Sequence, residues 1–183
     1  MSNYEIELRG SLDKIQKEKL ENILINRGKL IKEYKRTQWC FFNKALKNKD
    51  LRIKNTNGNW EISLKVGDLA KTSRKEISLS FLESDKKQAF NLLKFLGYNN
   101  GIIAVRSAKI YEYRGVEWAI VRATDDINYF EAEKLVKNKK DSRLAEEEIR
   151  AICLELGLKI FNIKEYREFI KYLGQKVNKN FKL

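Results

Sequence analysis

The stretch YEIELR, residues 4–9, alternates apolar and charged side chains without a break: Tyr4, Ile6 and Leu8 fall on one side, Glu5, Glu7 and Arg9 on the other. A period of two marks a β-strand with one face toward a core, because successive side chains leave a strand in opposite directions. The same rhythm returns in LRIK (51–54), EISLK (61–65), RKEIS (74–78) and FEAE (130–133). Each time charges stand two residues apart, hence on one side of a sheet and roughly 6.6 Å from each other. Arg52 is thus grouped with Lys54, Glu61 with Ser63 and Lys65, Arg74 with Glu76, and Glu131 with Glu133.

Working outward from the first strand, Ser11 reads as the cap of a helix whose apolar stripe is Leu12, Ile15, Leu20, Ile23 and Leu24, with Gly28 at its end. Strands are expected at 30–37, 39–43, 51–55, 60–66 and 75–81, with Asn57-Gly58 making a two-residue hairpin turn. Ser84 opens a second helix (Ala89, Phe90, Leu92, Leu93, Leu96), which Gly97 closes. Strands at 102–113 and 117–123 flank Arg114-Gly115, a further strand covers 128–136, and two helices at 142–156 and 163–173 stop at Gly157 and Gly174. No linker, repeat or low-complexity tract divides the chain, so one domain spanning residues 1–183 is expected.

Strands joined mostly by short turns, with few helices between them, argue for an α+β fold on an antiparallel sheet. About eight strands can close into a barrel wide enough for a small ligand. The expectation is therefore an eight-stranded antiparallel β-barrel with flanking helices and a helical C-terminal tail. If helices cover the apolar outer face, the charged face becomes the interior, and Glu5/Glu7 face Glu131/Glu133 across it.

Composition limits the chemistry. The chain has no histidine and two cysteines, Cys40 and Cys153, each inside an apolar run. Histidine-based zinc sites and Ser-His-Asp triads are excluded, and both thiols are expected to be buried. Reactions must rest on carboxylates, Lys, Arg, Tyr or a hard metal. Trp39, Trp60 and Trp118 are expected in the core. Lys and Arg number 38 against 25 Asp and Glu, a net charge of +13 that suits an anionic partner. No stretch approaches the roughly 20 apolar residues of a membrane-spanning helix, and the N-terminus lacks the pattern of a signal peptide, so a cytoplasmic location without membrane association is expected. A general nucleic-acid binder is not favoured, since no reader motif accompanies the charge. Glu-x-Glu beside Arg-x-Lys is instead what a polyphosphate and its metal require: carboxylate oxygens suit Mg²⁺ or Mn²⁺, and Lys and Arg neutralise phosphate oxygens.

These elements resemble, in order, the CYTH family, the triphosphate tunnel metalloenzymes. EIELR (5–9) is similar to the family's E-x-E-x-K, with Arg9 for the lysine. FFN (41–43), LRIK (51–54), EISLK (61–65), RKEIS (74–78), LLKFLGY (92–98) and FEAE (130–133) resemble its successive motifs over essentially the whole chain. The resemblance implies a triphosphate held inside a barrel of eight antiparallel strands with Mg²⁺ or Mn²⁺. By matching position, Glu5, Glu7, Glu131 and Glu133 would hold the metal, with Glu76 a further acidic position. Arg9, Arg52, Lys54, Lys65, Arg74 and Arg106 would bind phosphate oxygens, and Glu5, Glu7, Lys65 and Arg106 would carry the chemistry.

The implied activity is metal-dependent hydrolysis of inorganic triphosphate, thiamine triphosphate or ATP, by a monomer or homodimer. Adenylate cyclisation of ATP to cyclic AMP is one alternative, and a degenerate module that binds a polyphosphate, nucleotide or RNA end without turnover is another. Three departures separate this chain from the pattern. Ala108 stands where a second arginine is usual, with Lys109 aimed at the opposite face. Val121 or Arg122 stands near the usual aspartate, leaving Asp125 or Asp126 to compensate, and Ile127 stands near the usual glycine.

Overall fold

The computed structural model describes residues 4–43, 49–67 and 73–183, the side chains of Ser73 and Arg74 excepted. The fold is α+β. Its strands are β1 (Tyr4–Leu12), β2 (Lys29–Phe42), β3 (Lys49–Thr56), β4 (Asn59–Val66), β5 (Ser73–Phe81), β6 (Asn100–Tyr113), β7 (Val116–Arg122), β8 (Asn128–Val136) and the short β9 (Lys179–Lys182). The helices are α1 (Lys14–Arg27), α2 (Lys86–Phe95), α3 (Ser142–Glu155) and α4 (Ile163–Lys176). The chain packs as two compact units, and β2, β5 and β6 each run from one into the other. No helix among the described residues is long and apolar enough to cross a membrane.

The first unit orders its strands β5–β1–β8–β7–β6, all neighbours antiparallel, with β5 contributing residues 73–74 and β6 residues 106–113. One face is apolar. Ile6, Leu8 and Leu12 of β1, Phe130 and Ala132 of β8, Trp118 and Ile120 of β7 and Tyr111 of β6 pack with Leu20 and Leu24 of α1 and Ala145, Ile149, Ile152 and Cys153 of α3. Each large side chain so buried stabilises by about 1.5–3 kcal/mol relative to exposure. The opposite face carries Glu5, Glu7 and Arg9.

The second unit pairs β2, β3, β4 and β5 in that order, with β2 contributing residues 35–42 and β5 residues 75–81; β6, through residues 100–103, pairs with β9. Its apolar face gathers Phe41, Leu51, Ile53 and Trp60 with Leu93 of α2, and Trp39, Phe90 and Phe181 pack against them. Trp39 stacks on Trp60 at 5.6 Å. All three tryptophans therefore belong to cores, as their surroundings in the sequence suggest.

Both hairpins form as expected: Asn57 and Gly58 take positive φ (50° and 90°), as do Arg114 and Gly115 (56° and 71°), the geometry that suits the right-handed twist of the flanking strands. Several boundaries differ from the sequence reading. The expected strands at 30–37 and 39–43 are one strand, β2, since Gln38 remains within the ladder opposite Lys54. The helix cap is Asp13, not Ser11. Ser11 and Leu12 continue β1 opposite Tyr129 and Asn128, and Asp13 forms a reciprocal capping box with Gln16. Gly174 does not end the last helix, which runs on to Lys176. Of the cysteines, Cys153 is buried and its thiol is pushed up to about 12 by burial, whereas Cys40 is half-buried.

Gly10 marks the tightest approach on β1: a β-carbon there would lie 2.0 Å from the Lys159 carbonyl oxygen and 2.5 Å from the Phe130 ring. Neither neighbour can give way without moving backbone or core. Gly10→Ala is expected to destabilise the protein by about 2 kcal/mol or more, read as a lower midpoint in urea unfolding with an unchanged slope.

Candidate functional site

Each unit presents a charged face opposite its helix-covered apolar face, and the sequence-predicted residues divide between the two. In the first unit, β1 and β8 are hydrogen-bonded neighbours in a nine-pair register that sets Glu7 opposite Glu133 and Arg9 opposite Glu131. The two Glu-x-Glu pairs thus lie side by side on paired strands rather than facing each other across a barrel. Glu133 in turn lies opposite Glu117 of β7. Directly opposed like charges are destabilising in a sheet, so this row calls for a cation.

Arg9 supplies positive charge here from within the chain. Its guanidinium pairs with Glu7 and, at 3.4 Å, with Glu131, while stacking 5.0 Å from the Tyr166 ring centre. Burial works against its charge, but Glu7, Tyr166 and Glu131 outweigh it and raise its pKa above the ordinary arginine value. Glu7 is 7% exposed and Arg106, on β6, 6%. Glu5 and Glu133 are half-buried on the same face. Arg74 lies opposite Glu5 in the backbone register, and its side chain lies outside the described residues.

Sequence reasoning passed over Tyr129 and Tyr166, although Tyr129 continues the alternation of Glu131 and Glu133. Burial raises the Tyr129 hydroxyl pKa well above its usual value, Glu131 adds to this and Arg106 opposes it, so the phenol stays protonated. Its ring packs against Phe169, which also contacts Phe161.

In the second unit, Lys54 stands between Glu61 and Glu76, 2.9 Å from each, and Lys65 lies 3.3 Å from Glu76. Arg52 pairs with Asp50 and donates to the Gln38 side-chain oxygen at 3.0 Å. Lys54 is buried, 6% exposed. Register explains the cluster: Arg52 is opposite Ser63, Lys54 opposite Glu61, and Lys65 opposite Glu76. The carboxylate of Glu76, expected as a metal position, is engaged here by two lysines.

The departures from the family pattern are real in space. Ala108 is buried with Ile110, Ala119 and Val121, and Tyr34 and Tyr129 pack on them. Lys109 points to the other face, its ammonium 2.6 Å from Glu21 of α1. Asp125 and Asp126 are exposed, and Asp125 pairs only at 3.6 Å with Arg122. Neither replaces a carboxylate on the charged face.

Whether these residues suit a divalent cation can be judged on donors and on arrangement. The donors fit: they are hard carboxylate oxygens on a face whose opposed glutamates require positive charge, and a guanidinium already stands there. As arranged, no group of three or more acidic or sulfur side chains among the described residues is gathered to hold one, since Glu7 and Glu131 close on Arg9.

No family model and no curated protein matches the chain by sequence. Solved structures do. The PH1819 protein from Pyrococcus horikoshii OT3 is 24% identical with a TM-score of 0.74, the match covering 91% of this chain and 98% of that one. A candidate adenylate cyclase from Vibrio parahaemolyticus is 12% identical with a TM-score of 0.71, covering 93% and 99%. A candidate adenylyl cyclase from Hippeastrum, described as revealing a dominant triphosphatase activity, is 14% identical with a TM-score of 0.58, covering 86% and 89%. The chain shares their fold, and the resemblance read from the sequence is borne out at that level.

Glu76 offers a test by pH. Burial alone would raise its pKa, but Lys65 and Lys54 outweigh burial and hold it below the ordinary value of 4.5. A carboxyl depressed on folding contributes stability that is present above its unfolded pKa and is lost as pH falls through the folded value. Thermal melts from pH 6 down to 3 should show a steep loss below about pH 4.5, and Glu76→Gln should flatten that slope while costing about 1–2 kcal/mol at neutral pH through the lost charged hydrogen bonds.

Proposed function

We propose that the protein binds a triphosphate and hydrolyses it with Mg²⁺ or Mn²⁺. The observation that carries this reading is the pair of charged faces, each backed by a packed apolar layer. One is built around Glu5, Glu7, Arg9, Glu131 and Glu133, and the other around Arg52, Lys54 and Lys65. Charges gathered on the side of each sheet opposite its packed apolar layer suit a highly charged ligand, and structural neighbours named for adenylate cyclase and triphosphatase activity support the same class of substrate.

In this reading Arg52, Lys54 and Lys65 bind phosphoryl oxygens. Guanidinium and ammonium groups half-screened from water hold such oxygens more strongly than exposed ones. Their carboxylate partners keep them extended and in place until phosphate displaces those contacts. Arg106, buried on β6, and Arg9 serve charge in the first unit, and the protonated Tyr129 phenol can donate a hydrogen bond there. The metal would be held by Glu5, Glu7, Glu131 and Glu133, which requires Arg9 to release Glu7 and Glu131. Once bound, it would offset the charge that builds up during phosphoryl transfer. With fixed charges doing this work, no histidine is needed.

The buried apolar patch around Ala108, where the family pattern places an arginine, favours one second reading: a module that retains a triphosphate without turning it over. A single panel separates them. Phosphate release from inorganic triphosphate, thiamine triphosphate and ATP, and cyclic AMP from ATP, would be measured with Mg²⁺ and with Mn²⁺. Metal-dependent phosphate release is expected, reduced about 100-fold by Glu5→Gln or Glu133→Gln. Metal-dependent binding without release selects the second reading, cyclic AMP selects a cyclase, and activity indifferent to both substitutions overturns the metal assignment.

A further inference from the structure

Ser63 occupies the middle of the second unit's charged face. Its side chain is 1% exposed, yet its hydroxyl has no hydrogen-bonding partner among the described residues. Buried hydroxyls are nearly always paired, because desolvating one without compensation is unfavourable. An alanine would occupy the same position on β4 and remove the unmatched group.

The register fixes what surrounds it. Ser63 lies opposite Arg52 on β3 and Ser78 on β5, and Glu61 and Lys65 are its neighbours along the same face of β4. Lys54, next to Arg52 on that face, bridges Glu61 and Glu76. Apart from Ser78, the side chains around Ser63 are long and charged, so the two serines form a floor with Arg52, Lys54 and Lys65 as the rim. Arg52 pairs with Asp50 and Gln38, Lys54 with Glu61 and Glu76, and Lys65 with Glu76, while the Ser63 hydroxyl has no partner among the described residues. A neutral donor set below three cations is the composition of an oxyanion site: the cations supply charge, and the hydroxyl supplies direction.

We propose that Ser63 contacts the ligand directly, its hydroxyl donating a hydrogen bond to a phosphoryl oxygen held by Arg52, Lys54 and Lys65. This assignment rests on the triphosphate reading above and adds to it a residue that neither charge nor spacing singles out. It also explains why a polar side chain stands unpaired in the interior of a central strand.

Binding of inorganic triphosphate to the full chain, by titration calorimetry in the presence of Mg²⁺, tests it together with thermal melts of the ligand-free protein. Ser63→Ala is expected to weaken binding about tenfold while leaving the ligand-free melting temperature unchanged or raised, because the orphaned hydroxyl is gone. Ser63→Thr, which keeps the hydroxyl, should restore affinity to within about threefold. A purely structural role predicts the reverse pattern: a lowered melting temperature and unchanged affinity. If the native chain binds triphosphate and Ser63→Ala binds equally well, the assignment of Ser63 falls while the triphosphate reading stands. If the native chain binds no triphosphate, the reading itself falls and takes the assignment with it.

Discussion

The nine-pair register between β1 and β8 is the constraint on which the first unit depends. It places Ile6, Leu8, Phe130 and Ala132 on one side and Glu7, Arg9, Glu131 and Glu133 on the other. A slip of one residue would send every one of these side chains to the wrong face. The helix-side core opposes that slip, because Leu20, Leu24, Ile149 and Ile152 pack on Ile6, Leu8, Phe130 and Ala132, which a slip would replace with charged side chains. The core therefore fixes the charged face, including its unfavourable opposition of Glu7 and Glu133. Arg9 is the local answer: one guanidinium placed two residues beyond Glu7 answers both Glu7 and Glu131.

The second unit solves a related problem by interleaving signs. On the charged face of β3 and β4, Arg52 lies opposite Ser63, Lys54 opposite Glu61, and Lys65 opposite Asp50 and Glu76, while Ser63 also lies opposite Ser78. Such exchange lets Lys54 be buried at modest cost, since two carboxylates satisfy its ammonium.

How far the sequence could be read follows from which interactions are local. Alternation and the Asn57-Gly58 and Arg114-Gly115 turns depend on neighbours within a few residues and were legible; the helix stripes were legible in part, since Leu20, Leu24 and Leu93 are buried but Leu12 belongs to β1 and Ile15, Leu92 and Leu96 are exposed. That Glu5, Glu7 and Arg9 share one face of β1, and Arg52 and Lys54 one face of β3, was legible for the same reason. Pairing partners were not. That Glu76 serves Lys54 and Lys65 requires knowing that β5 lies beside β4 with Glu76 opposite Lys65. That the two Glu-x-Glu pairs are adjacent, not opposed across a barrel, requires knowing that β8 returns to β1. The short β9 was invisible because a strand of four residues carries its signal in one side chain, Phe181, which packs against Phe41. The Asp13–Gln16 capping box was present in the sequence, but Ser11 competed with it, and the ladder to Tyr129 decided between them.

Ala108, where the resemblance would place an arginine, is isolated when read along the chain but not when read across the sheet. The rows of the first unit's charged face run Glu7–Glu133–Glu117, then Arg9–Glu131–Ala119–Ile110, then Ser11–Tyr129–Val121–Ala108. Acidity gives way stepwise to apolar and aromatic side chains, and Ala108 is the end of an apolar row. An arginine there would be buried against Val121 and Tyr129 with no carboxylate in its own row, a costly position for a charge. The replacement is matched by its neighbours: Val121 stands near the usual aspartate's place, and Ala119 and Ile110 complete the patch. Ala108, Ile110, Ala119 and Val121 thus agree with one another in space as the apolar end of this face, with Glu7, Arg9 and Glu131 at its ionic end.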